Sequence, residues 1–192
     1  CLNCGSSSVK YRVYDWDRKE TLATGGVERV VVGGSFIVHQ VPGRDDYKLV
    51  SECPDHKVAI KLIIDTLVHP EHGVIAGTKS ITAVGHRMVH GGEKFAKSVI
   101  IDDGSLQTFR QLSDLAPLHT PPNILGVEAA KAAMPSIPHM AIMDTAWHQT
   151  MPKSSYIYAL PYSWYEQYGV RRYGFHGTSF LYNAKRAAVR LA

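Results

Sequence analysis

Asn3-Cys4-Gly5-Ser6-Ser7-Ser8-Val9-Lys10 sets one glycine and three consecutive hydroxyls between an amide and an ammonium. Gly5 permits a backbone turn that a residue with a Cβ resists. The serines offer hydroxyl and N–H donors in a row, and Lys10 adds a mobile positive charge. Leu2 precedes the stretch, and Val9, Tyr11 and Val13 alternate with polar residues after it. The pattern predicts strand, tight turn, strand. Two readings of the turn stay open, a serine-rich hairpin and a phosphate cradle.

Composition narrows the class of protein. The chain has 192 residues, 45% hydrophobic and 20% charged, which is globular material for one or two domains. No run reaches the roughly 18 apolar residues of a membrane helix. The net charge of +4 comes from basic residues scattered among acidic ones. Without a Lys/Arg run there is no nucleic-acid arm, and the mild positive balance fits small anions at least as well as a nucleic acid. Three cysteines, Cys1, Cys4 and Cys53, form no disulfide framework and suggest a reducing, cytoplasmic setting. Cys1 and Cys4 make a C-x-x-C with no second pair, so packed thiols are expected. Cys1-Leu2-Asn3 reads as the end of a longer strand, and the far end reads as cut within or just after a helix.

Along the chain, positions 9–16 read as strand, and Val27 to Val41, interrupted by Gly33-Gly34, as further strand or an irregular β excursion. Pro54-Asp55-His56 opens a helix that Pro70 ends. Ile81 to Val84 and Ser98 to Ile101 are short apolar runs, and Asp103 or Ser105 can cap the helix that follows. Pro121-Pro122 fit the entry of a helix from Asn123 to Ala133. His139 to Met143 is a buried strand, and Gly177-Thr178-Ser179 starts a last helix. Strands followed by alternating helices and strands predict α/β with a mixed sheet.

The polar residues at the ends of these elements are the candidate site. Arg87 lies among Gly85, Gly91 and Gly92, where backbone can approach a ligand and a guanidinium can fork onto carboxylate or phosphate. A structural ion pair is the other reading. His86 and His90 have i, i+4 spacing but lack the intervening Glu of a helical zinc site. His119 sits on a proline turn, as a ligand-facing or a packing histidine. Asp144 ends a strand, as an orienting carboxylate or a cap. His176 precedes Gly-Thr-Ser, where helix N–H groups and dipole favour an anion. Together these are the parts that phosphoryl transfer requires, although Walker and protein-kinase motifs are absent.

LNCGSSSVKY, GHRMVHGGEKF, LAPLHTPPN, MDTAWHQTMP, YALPYSWYEQYG and RRYGFHGTS occur in this order along nearly the whole chain. With them the chain resembles the N-terminal part of the acetate kinase family, in the superfamily of acetate and sugar kinases, Hsp70 and actin. Propionate kinases are similar too. The resemblance implies a ribonuclease-H-like (actin-like ATPase) α/β fold over residues 1–192, as the N-terminal domain of a two-domain kinase that forms a homodimer. It implies reversible transfer of phosphate from ATP to acetate, giving ADP and acetyl phosphate, with Mg2+ or Mn2+. A propionate or other short-chain carboxylate kinase is the alternative, and a non-catalytic anion-binding or dimerising module of the same fold is the rival from another class. Nucleic acid and membrane are not implied as partners.

By the same resemblance, Asn3 lies near the metal, and Ser6, Ser8 and Lys10 near the nucleotide phosphates. Arg87 holds the carboxylate or the transferring group, His119 and His176 hydrogen-bond to that group, and Val89, Leu118 and Phe175 line the methyl pocket. Asp144 matches the family's proton donor or acceptor. A carboxylate with a pKa near the ~4.3 of Glu is already ionised at neutral pH, so Asp144 is expected instead to orient Arg87 or a metal-bound water. Two positions depart from the family pattern: Phe180 stands where His is common, and Thr120 where Asn is common. The implied second domain, with its adenosine loops, second Arg and metal-binding Glu, has no counterpart in this stretch. With two residues before Asn3, the serine turn is expected to be poorly anchored.

Overall fold

The computed structural model describes residues 1–191. Eight strands form one sheet: β1 (Leu2–Cys4), β2 (Ser8–Asp15), β3 (Glu20–Glu28), β4 (Phe36–Gln40), β5 (Tyr47–Val50), β6 (Val84–Met88), β7 (Val99–Ile100) and β8 (His139–Met143). Their spatial order is β5-β4-β3-β2-β1-β6-β8-β7. β1 to β5 pair antiparallel in sequence order. β1, β6 and β8 run parallel, with Leu2 beside His86 and Met88 beside Met143. The sheet is mixed, as the sequence predicts.

Side chains alternate across such a sheet, so each strand divides into an inward and an outward set. Val84, His86 and Met88 of β6 and His139, Ala141 and Met143 of β8 are buried, whereas Gly85, Arg87, Met140 and Ile142 are not. Leu2, Cys4, Val9, Tyr11, Ala23 and Val27 continue the buried face across β1 to β3. Helix α1 (His56–Leu67) supplies Ala59, Ile60 and Ile63 to it, and α3 (Thr120–Ala133) supplies Ala129 and Ala130. α2 (Asp103–Gln111) adds Leu106 and Phe109, which pack with Met88 and Met143. Three helices therefore cover one face. Asn3, Lys10 and Arg87 stand on the other.

Local signals explain the helix ends. Asp55 accepts the Val58 N–H at 2.8 Å and caps α1. Asp102 caps α2 in a reciprocal box with Ser105, one residue before the expected cap. α3 begins at Thr120, three residues before the expected Asn123, with Pro121 and Pro122 in its first turn. Val27 to Val41 is two strands, because the chain turns left-handed at Arg29, Val31, Gly33 and Gly34 between β3 and β4. The aromatic segment holds two short helices, α4 (Lys153–Tyr156) and α5 (Tyr162–Tyr168), before α6 (Gly177–Leu191). No helix of the described residues is long and apolar enough to cross a membrane.

Candidate active site

Parallel neighbours end on the same side, and the C-terminal ends of β1, β6 and β8 bring three polar side chains together. Arg87 donates from Nη2 to Asp144 Oδ2 at 2.6 Å and from Nε to Oδ1 and Oδ2 at 3.1 and 3.2 Å. Its Nη1 donates to Asn3 Oδ1 at 3.3 Å. The Asp144 side chain is 2% exposed and that of Arg87 37% exposed, so the carboxylate is sealed while the guanidinium reaches the open face. The hydrogen bonds that Arg87 donates to Asp144 hold the guanidinium above its ordinary pKa, against the opposing effect of burial. Each terminal nitrogen keeps one N–H beyond these contacts, enough to receive an oxyanion.

The serine turn lies beside this pair. Gly5 N–H donates to Ser8 O at 2.8 Å and closes it. Val30 N–H reaches Ser7 O at 2.9 Å, and His56 Nε2 bonds Gly5 O at 2.7 Å. β1 is short but hydrogen-bonded on both sides, to β2 and β6. The turn is therefore fastened from three elements, contrary to the anchoring expected from strand length. Among the described residues, the N–H groups of Ser6 and Ser7 and all three serine hydroxyls donate to no protein acceptor. Lys10 is the register partner of Asn3, with Nζ 3.9 Å from Glu28 across an exposed and weak pair.

His119 precedes α3 with an exposed imidazole that caps nothing. Thr120 N–H donates to Ala116 O, Asn123 N–H donates to His119 O, and the prolines between them have no N–H. Any anion contact here must come from the imidazole rather than the helix backbone. The buried Thr120 Oγ1 has no partner among the described residues. His176 adopts φ 55°, a left-handed turn into α6. Gly177 N–H donates to Asp144 O at 2.9 Å, and Ser179 and Phe180 donate to His176 O. Among the described residues, Thr178 alone of Gly177 to Phe180 keeps an N–H without an acceptor, fewer than the sequence suggests. A Cβ on Gly177 would stand 2.4 Å from Asp144 O, which explains the glycine. Among the described residues, neither His119 nor His176 hydrogen-bonds to Arg87 or Asp144.

Of the apolar candidates, Val89 and Phe175 lie by the end of β6, while Leu118 precedes α3. Val89 follows β6 directly and is half-buried; Leu118 and Phe175 are 76% and 41% exposed. Phe175 meets the edge of the His90 ring with centroids 5.6 Å apart. Burial, then the charge of Arg171, push His90 down to about 4. Sequence reasoning missed Arg171, which pairs with Glu93 and lies over the rings of Tyr156 and Tyr173 at 3.7 and 4.8 Å. It missed Asn123 too, whose amide bridges Cys4 O at 2.6 Å and Val89 N–H at 3.0 Å. Asn near a helix start reads as ordinary capping chemistry, so the sequence carried no signal of its burial.

Among the described residues, no three His, Cys, Asp or Glu side chains converge as a metal cage. Magnesium takes one or two protein oxygens together with phosphates and waters; the half-buried Asn3 amide oxygen fits that limited role, whereas the sealed Asp144 carboxylate has both oxygens on Arg87.

The acetokinase family profile matches residues 1–192. The chain belongs to the acetokinase family. It is 64% identical to the acetate kinase of Geobacter metallireducens over 190 residues, which are 99% of this chain and 45% of that enzyme. Among solved structures, Porphyromonas gingivalis acetate kinase superposes with a TM-score of 0.94 at 44% identity, covering 99% of this chain and 48% of its own. A propionate kinase from Francisella tularensis gives 0.90 at 37% identity, with the same two coverages. This acetokinase-family chain thus spans about half the length of the curated relatives it matches. Its mixed sheet agrees with the actin-like ATPase fold of these neighbours.

Proposed function

We propose that the natural protein carrying this chain transfers a phosphoryl group between ATP and acetate, forming acetyl phosphate and ADP. The observation that carries the reading is Arg87, held by Asp144 and Asn3 with N–H groups to spare, beside a serine turn whose donors are free. A carboxylate oxygen attacks the γ-phosphorus; the new O–P bond forms as the bond to the β-phosphate oxygen breaks and ADP leaves. Acetate, ionised at neutral pH like a Glu side chain of pKa ~4.3, needs no base, so Asp144 serves by aiming Arg87. Arg87 binds the carboxylate or the transferring group, and His119 and His176 donate to it as charge spreads over its oxygens. Ser6, Ser8 and Lys10 receive the nucleotide phosphates.

Asn3 would offer its amide oxygen to a divalent ion, magnesium or manganese, which would neutralise phosphate charge there. Val89, Leu118 and Phe175 form the pocket for the methyl group. The exposure of Leu118 and Phe175 suits a pocket whose remaining walls come from another part of the protein. Adenosine binding, a homodimer and a cytoplasmic location are part of the same proposal.

Full-length protein given ATP, hydroxylamine and a panel of short carboxylates tests it. Acetate should yield the most hydroxamate, with propionate behind it by about 10- to 200-fold for one methylene. Arg87→Ala should lower kcat by about 10²- to 10³-fold. Absence of hydroxamate with every carboxylate would overturn the reading.

A further inference from the structure

We propose that Asn123 is a positioning residue that sets the gap between the serine turn and the Arg87 strand end. It would thereby bring a phosphate held at one into line with a carboxylate held at the other. The proposal rests on the phosphoryl-transfer reading above.

β1 and β6 share a single register pair, Leu2 beside His86. Beyond Cys4 and Met88 the two chains part, one into the turn and the other into Val89–Gly92. Asn123 stands in that fork with 3% exposure. Its Nδ2 donates to Cys4 O at 2.6 Å and its Oδ1 accepts Val89 N–H at 3.0 Å. One side chain thus extends the ladder where no backbone does. The amide orientation is fixed, because Cys4 O can only accept and Val89 N–H can only donate. Gly5 follows Cys4 directly, Arg87 lies two residues before Val89, and Asn123 N–H bonds His119 O at 3.1 Å. Phosphate turn, guanidinium and imidazole are all referenced to this residue. A shift of about 1 Å among reacting groups costs about 10²-fold in rate, so the gap matters to the chemistry.

Asn123→Asp in the full-length protein separates positioning from folding. The new side chain keeps the shape and the acceptor for Val89 N–H. Ionised, it sets a negative oxygen against Cys4 O; protonated, it donates there again. Burial raises the pKa of such a carboxyl. The ratio of variant to wild-type kcat should therefore rise at least about tenfold between pH 8 and pH 5.5, with KM for ATP and acetate changed by less than about threefold. Asn123→Ser, which loses both ends, should lose about 10²-fold in kcat without recovery in acid. A flat ratio, or a loss confined to KM, would overturn the role of Asn123 while wild-type acyl phosphate formation stands. Failure of both variants to fold would assign Asn123 to folding and overturn it too. A wild type that forms no acyl phosphate overturns the phosphoryl-transfer reading, and this proposal with it.

Discussion

Arg87 and Asp144, 57 residues apart in sequence, meet on one carboxylate through the Nε–H and Nη2–H groups, the shortest contact being 2.6 Å. With both carboxylate oxygens turned to the guanidinium, Asp144→Asn in the full-length protein should lower kcat and leave the acidic limb of the pH–rate profile in place. Loss of that limb would instead identify Asp144 as the titrating base.

The same pair predicts an asymmetry in stability. Arg87→Leu strands a carboxylate that is 2% exposed. Because Arg87 itself is over a third exposed, the loss should sit at the low end for a broken buried pair, about 3 kcal/mol. Arg87→Leu/Asp144→Leu should recover part of it. Urea denaturation of the two variants beside the wild type checks both statements, and a double variant no better than Arg87→Leu would contradict them.

Acid should weaken the fold through its buried histidines. Burial, then the neighbouring His139, push His86 down to about 3, and His90 is pushed to about 4. Both stay neutral in the folded chain, while the unfolded chain takes up protons near pH 6.5. The unfolded state binds more protons below that pH, so this stability is complete above about 6.5 and falls with pH toward 4 and then 3. Urea midpoints at pH 7.5, 5.5 and 4.5 should decline in that order. His86→Gln and His90→Gln should flatten the slope.

Local structure was legible where single residues decide it. Asp55 and Pro70 bracket α1, and Pro121-Pro122 announce α3. β5 (Tyr47–Val50) left no trace, because an edge strand of largely exposed residues has little apolar alternation to show. The break between β3 and β4 was marked by Gly33-Gly34, but the left-handed turns at Arg29 and Val31 cannot be read from residues with a Cβ. At the site, Asn3, Arg87, Asp144 and His176 were recognisable by type and by their place at element ends. Their grouping was not, because it depends on which strands pair. Asn123 was read as the start of a helix, and its function lies in two contacts made across the fold.

Packing of α3 on β1 depends on Gly126. A Cβ there would lie 2.2 Å from Cys4 Sγ and 2.7 Å from Cys4 Cβ. Gly126→Ala should destabilise by about 1–3 kcal/mol. Cys4→Ala, which removes the sulfur and keeps the Cβ, should restore part of that loss in the double variant. Calorimetric melting of the four proteins makes the comparison, and strict additivity would refute the contact.

Cys4 and Cys53 should resist alkylation in the native state. Both are buried, and burial pushes the Cys4 thiol up to about 12. Little thiolate is present at neutral pH. Iodoacetamide at pH 7.5, followed by peptide mass analysis, should leave both unlabelled until denaturant is added.

The two halves of the sheet close over very different lengths of chain. β2 to β5 are antiparallel neighbours in sequence order, whereas β1 joins β6 from Leu2 to His86, and β8 is added only after α2 and α3. Hairpins form quickly, and distant parallel pairings must first overcome the entropy of a long loop. Arg87, His119, Asp144 and His176 stand on the slow half, whereas Asn3, Lys10 and the serine turn belong to the β1–β2 hairpin. Collapsed chains with a finished meander would therefore look folded by strand content and still lack a guanidinium held in place. Closure of β6 and β8 beside β1, not gain of secondary structure, should mark the end of folding in this molecule.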